Sequence, residues 1–93
     1  YVLEVWVDGP IDPMTGFVID LKILKQMIHE HVLERFDHRN LNLDCPEFKE
    51  LIPTTENVAA VIWNILRSKL DDKFSLEVQI QETEKNKVLY TGN

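Results

Sequence analysis

The chain has 93 residues, 44% of them hydrophobic and 28% charged, which fits one globular domain and leaves no room for two independent cores. Sixteen acidic against ten basic residues give a formal net charge of −6, and no Lys/Arg cluster is dense enough to track phosphates, so nucleic acid is not an expected partner. No apolar run approaches the ~20 residues that cross a bilayer, and the single Cys45 allows no internal disulfide; a cytoplasmic, reducing location without a membrane partner is the expectation.

Residues 1 to 7 alternate, with Tyr1, Leu3, Val5 and Val7 on one face and Val2, Glu4 and Trp6 on the other. Period two with this composition predicts a half-buried strand. Asp8-Gly9-Pro10 and Asp12-Pro13-Met14-Thr15-Gly16 are turn signals, because proline presets φ and glycine tolerates positive φ. Phe17-Val18-Ile19 reads as a short extended piece leading to Asp20, whose carboxylate is suited to cap a helix. Leu21, Leu24, Met27, Ile28 and Val32 then recur at helical spacing, predicting an amphipathic helix of about four turns that ends near Phe36. From Asp37 to Pro53 no period is sustained, and the stretch reads as a long structured loop.

Pro53-Thr54-Thr55-Glu56-Asn57 signals a second helix start, with either threonine able to cap and Glu56 suited to the dipole. Val58, Val61, Ile62, Ile65, Leu66 and Leu70 form its apolar face. After Asp71-Asp72-Lys73, Phe74, Leu76, Val78 and Ile80 alternate with Ser75, Glu77, Gln79 and Gln81, a second strand. A turn at Thr83 to Asn86 and a short strand from Lys87 to Thr91 complete an α+β order, with two helices on one face of an antiparallel sheet. Three strands leave open edges, which another strand or subunit is expected to cover.

Four features invite chemistry, and each has a plainer reading. Asp37-His38 is a possible proton-handling pair, since a carboxylate fixes an imidazole's tautomer; the plain reading is a helix-end histidine favoured by the dipole. Glu82 continues the parity of Ile80 and so points to the helix side, where its carboxylate needs a partner such as a ligand with paired N–H donors; the alternative is a frayed strand and a solvated side chain. Thr54 and Thr55 could present hydroxyls to a small polar ligand or merely cap the helix. His29 and His31 lie two apart, about 200° around a helix, and so cannot share a metal; they read as solvated or half-buried surface features. Nothing near Cys45 marks it as a nucleophile, and Trp6 and Trp63 read as core or interface aromatics.

Taken in order, several motifs resemble the 6-pyruvoyl-tetrahydropterin synthases and their relatives, the 6-carboxy-tetrahydropterin synthases of queuosine biosynthesis. They are Gly9-Pro10-Ile11-Asp12-Pro13 with Thr15-Gly16, Val18-Ile19-Asp20-Leu21, Asp37-His38-Arg39-Asn40-Leu41-Asn42 and Pro46-Glu47-Phe48. Pro53-Thr54-Thr55-Glu56-Asn57 with Ile62-Trp63, then Gln81-Glu82-Thr83 and Tyr90-Thr91-Gly92, extend the resemblance over essentially the whole chain. It implies the tunnelling fold, a homo-oligomeric barrel (commonly a hexamer of two trimers) with active sites between subunits, and a pterin-forming lyase acting on 7,8-dihydroneopterin triphosphate. Asp37, His38 and Glu82 take the catalytic roles: the first two as the proton relay, Glu82 as the acid that anchors the pterin ring. Thr54 and Thr55 match a segment that contacts the same ring.

The resemblance also implies a zinc cofactor, held by three histidines that precede the strand opening here, together with a catalytic cysteine. His29, His31 and Cys45 do not match those positions, so no metal ligand is expected within residues 1–93. The chain is accordingly expected to be a single domain that lacks the family's first strand and metal-ligand segment, about the C-terminal two-thirds. Phe36 and Pro46-Glu47-Phe48-Lys49 lean toward the 6-carboxy branch, with the 6-pyruvoyl branch as the alternative. A non-catalytic oligomeric pterin-binding protein is the reading from another class.

Overall fold

A computed structural model describes residues 2–34 and 54–92. Strand β1 (Val2–Asp8), helix α1 (Leu21–Ile28), a π-helical turn (His29–Leu33), helix α2 (Thr55–Lys69), strand β2 (Ser75–Gln81) and strand β3 (Lys87–Tyr90) follow in that order. The sheet is antiparallel throughout, with β2 between β1 and β3.

The register explains why alternation was a sound guide. Leu3 pairs with Ile80 and Ile80 with Val88; Val5 pairs with Val78 and Val78 with Tyr90; Val7 pairs with Leu76. Inward residues therefore meet inward residues in rows across the strands. Helix α2 lies over this face, burying Val58, Ala59, Ile62 and Leu66 against Leu76, Val78 and Ile80. Ala59, fully buried, carries no side chain beyond Cβ and so lets helix and sheet approach closely. The opposite sheet face, with Val2, Trp6 and Leu89, is open.

Helix α1 starts where Asp20 predicts, its carboxylate accepting the Lys22 amide at 2.8 Å. Two expectations before and within it need correction. Phe17-Val18-Ile19 is not extended: Asp12 donates its amide to the Phe17 carbonyl and accepts from the Gly16 amide, both at 2.8 Å. This closed loop turns Phe17 outward, while Ile19 packs on the core. Leu21 is 67% exposed despite its helical spacing. The first helix meets α2 through its π-helical turn, so its opening turn overhangs the core and only Leu24, with Val32 further on, is buried. In the π turn the Glu34 amide reaches the His29 carbonyl five residues back, a spacing that also brings His29 Nε2 to 3.4 Å from Glu34 Oε1.

At the other end of α2, Arg67 holds the exit to β2. Its guanidinium donates to the carbonyls of Phe74, Asp71 and Leu70, while Nε is buried with no partner. One of these acceptors, the Leu70 carbonyl, is that of the helix C-cap, which otherwise needs water or another donor. Arg67→Ala is expected to lower stability by about 1.5–3 kcal/mol, the range for hydrogen bonds to charged groups. Arg67→Lys should recover only part of it, because one ammonium cannot span a planar fork's acceptors. Urea unfolding checks both; a midpoint unchanged in Arg67→Ala would remove Arg67 from the account.

Trp63 joins the layers, as read from sequence. Its Nε1 donates to the Leu76 carbonyl at 2.8 Å, and its ring meets Tyr90 edge-on at 5.6 Å. Gly92 follows with φ +96, and a Cβ there would lie 2.6 Å from the indole, so only glycine lets the chain leave β3 along this ring. Trp6, by contrast, stands on the open face.

Candidate functional site

The start of α2 and the end of β2 meet at one corner of the fold. Thr54 is the N-cap: its hydroxyl oxygen accepts the Asn57 amide at 3.2 Å, and its carbonyl accepts from Val58. Thr54 thus caps the helix, as one of its two readings had it. Thr55, the first helical residue, turns the other way. Its Oγ1 donates to Glu82 Oε2 at 2.9 Å, across 27 residues of chain.

Glu82 combines features of both sequence readings. The strand stops at Gln81 and Glu82 is exposed, as a frayed end would be. Yet its side chain lies on the helix side, where the parity of Leu76, Val78 and Ile80 directs it, and reaches the helix start. Its backbone is held as well, the amide donating to the Asn86 carbonyl at 2.9 Å. Thr83 braces the intervening turn, its hydroxyl oxygen accepting from the amides of Lys85 at 3.3 Å and Asn86 at 3.2 Å.

A cavity of about 490 Å³ opens at this corner, lined by Thr54, Thr55, Glu56, Glu82, Lys85 and Lys87 among others. It is polar and open to solvent at the surface. Carboxylates and lysines of opposite sign with helix-start amides suit a planar heterocycle rich in donors and acceptors. Lys85 and Lys87 are additions that the sequence reading did not single out; the available signal was their position flanking Asn86, directly after the strand-end acid.

Asp37 and His38 lie outside the described residues, as do Cys45 and Pro46-Glu47-Phe48. Among the described residues no group of three or more His, Cys, Asp or Glu could hold a metal ion. His29 is exposed and pairs with Glu34, and His31 is half-buried on the same turn, in keeping with their reading as surface features. No helix among the described residues is long and apolar enough to cross a membrane.

Residues 1–93 match the family described as 6-pyruvoyl tetrahydropterin synthase. The chain is 44% identical over 92 residues to a 6-pyruvoyl tetrahydrobiopterin synthase of Poecilia reticulata and 41% identical to that of Homo sapiens. Each match takes in 99% of this chain and 63% of the relative, so the chain spans under two-thirds of those proteins. The solved structure of Caenorhabditis elegans 6-pyruvoyl tetrahydropterin synthase superposes with a TM-score of 0.86 at 38% identity, over 98% of this chain and 65% of that one.

Proposed function

From membership in the 6-pyruvoyl tetrahydropterin synthase family, to which this chain belongs, we propose that it forms the pterin-holding part of a lyase acting on 7,8-dihydroneopterin triphosphate. The sheet with two helices on one face is the tunnelling fold of that family. The single observation that carries the reading is the Thr55–Glu82 hydrogen bond beside the cavity. It aims a carboxylate at a space where a pterin can offer two parallel N–H donors, the pairing that a carboxylate accepts best. Thr54 and Glu56 complete the wall against which the ring rests.

The products of the two branches differ, and here the preference changes. Phe36 and the Pro46-Glu47-Phe48-Lys49 segment lean toward 6-carboxy-tetrahydropterin formation. The relatives at 44% and 41% identity carry the 6-pyruvoyl name, and whole-chain likeness outweighs two short segments. The 6-pyruvoyl branch is therefore the reading put forward, with the 6-carboxy branch as its alternative.

In this reading Glu82 binds and orients the ring, and Asp37 with His38 moves protons at the side chain from which triphosphate leaves. Among the described residues no group of three or more His, Cys, Asp or Glu fits the zinc that the family implies. A homo-oligomer, a hexamer of two trimers by the resemblance, accords with β1 and β3 each having one strand partner among the described residues. A cytoplasmic location belongs to the same proposal.

Incubating the zinc-loaded holoenzyme that contains residues 1–93 with 7,8-dihydroneopterin triphosphate and weighing the products tests it. Triphosphate release with a pterin that keeps its three-carbon side chain is the expected result. A carboxy-pterin with a two-carbon fragment would move the assignment to the other branch. Binding without any triphosphate release would favour a non-catalytic pterin-binding protein.

A further inference from the structure

We propose that Thr55 is a positioning residue, acting on the ligand through Glu82 by setting the plane of its carboxylate. The inference rests on the pterin reading above and concerns how that site discriminates between ligands. Glu82 is exposed, and an exposed glutamate with three rotatable bonds samples many rotamers. Two tethers remove that freedom: the amide bond to the Asn86 carbonyl and the hydroxyl bond from Thr55. Because a carboxylate is planar, pinning Oε2 with the backbone held leaves Oε1 and the second lone pair of Oε2 in one defined plane.

The donor is itself well fixed. Thr55 opens a helix of 15 residues, is half-buried, and is β-branched, so its χ1 is restricted. Its neighbour Thr54 is engaged in capping, its hydroxyl oxygen accepting the Asn57 amide, and it is Thr55 that donates to Glu82. A carboxylate held in one plane favours a ligand edge with two parallel N–H groups over an edge that replaces one of them by a carbonyl. Thr55 thus confers selectivity between 2-amino and 2-oxo rings, in addition to affinity.

The test is fluorescence titration of the full chain with 6-methylpterin and with 6-methyllumazine, in which the 2-amino group is a carbonyl. Thr55→Ser keeps the hydroxyl and is expected to bind 6-methylpterin within about twofold of the parent, whereas Thr55→Val should lose about tenfold, the scale of one immobilised side chain. Its preference for 6-methylpterin over 6-methyllumazine should fall with it. In a Glu82→Ala background, which has no acceptor for the Thr55 hydroxyl, Thr55→Val should add no further loss. Equal loss for both probes, or a further loss in that background, would overturn the inference in favour of a purely structural role or direct ligand contact. Unchanged affinity and selectivity in Thr55→Val, with binding lost in Glu82→Ala, would overturn it while leaving the pterin reading intact. Full affinity in Glu82→Ala would sink both.

Discussion

Glu82→Ala is expected to weaken pterin binding by roughly a hundredfold while leaving the fold intact. The size follows from counting bonds. Two charge-assisted hydrogen bonds to a carboxylate contribute about 1.5–3 kcal/mol each. Glu82 is exposed and its cavity open to water, so the lower end applies, giving about 3 kcal/mol, or about two powers of ten in affinity. Stability should change little, because the side-chain bond lost among the described residues is that from the Thr55 hydroxyl, which water can satisfy at a surface site. Glu82→Gln should fall between the two, since its amide keeps one acceptor but turns a donor toward the ligand. Titration with a fluorescent pterin measures this directly, and an affinity within threefold of the parent would end the anchor assignment.

His38→Ala should act on rate instead of affinity. A positioned acid or base contributes about 10²- to 10⁴-fold to a proton transfer, and turnover of 7,8-dihydroneopterin triphosphate is expected to fall by that amount. Pterin affinity should hold within about twofold, because relay groups contribute to the transition state more than to the ground state. Asp37→Asn is expected to lower kcat in the same direction and by less, having removed the charge that steadies the imidazolium but not the imidazole itself. A kcat unchanged in His38→Ala would remove His38 from the mechanism. A loss of affinity equal to the loss of rate would make it a binding residue.

Much of the scaffold was legible in the residue order, and for a local reason. The alternation over Val2–Asp8 and Ser75–Gln81 assigns every side chain of both strands to the core or to solvent, because side-chain direction has period two wherever the backbone is extended. Asp20 and Thr54 mark their helix starts because an N-cap satisfies amides two or three residues along the same chain. Glu82 inherits its direction from that strand parity. The sequence also carries the family motifs, which tie Glu82 to the Thr54-Thr55 segment by role.

The structure departs from the pattern where a distant surface decides, and where a short loop closes on itself. Leu21 has the right spacing for the core and is exposed, because periodicity says which face of a helix is apolar but not how far along its length another element covers it. Phe17 was expected to extend and instead faces solvent, since hydrogen bonds centred on Asp12 close the loop on itself. Lys85 and Lys87 become lining residues only once the β2–β3 turn folds back beside α2.

The sequence by itself determined the three strands and two helices, the faces they turn to the core, the Asp20 cap and the family; the structure decided that Thr54 is the second cap. Tertiary structure alone decided that Val5 meets Val78, that Arg67 closes the helix exit, and that Thr55 rather than Thr54 reaches Glu82. Two threonines in a row are chemically the same. One caps its own helix through a bond three residues long, and the other spans 27 residues to the acid. Local geometry sets the first bond, whereas the second exists only because packing of α2 on the sheet brings helix start and strand end to one corner.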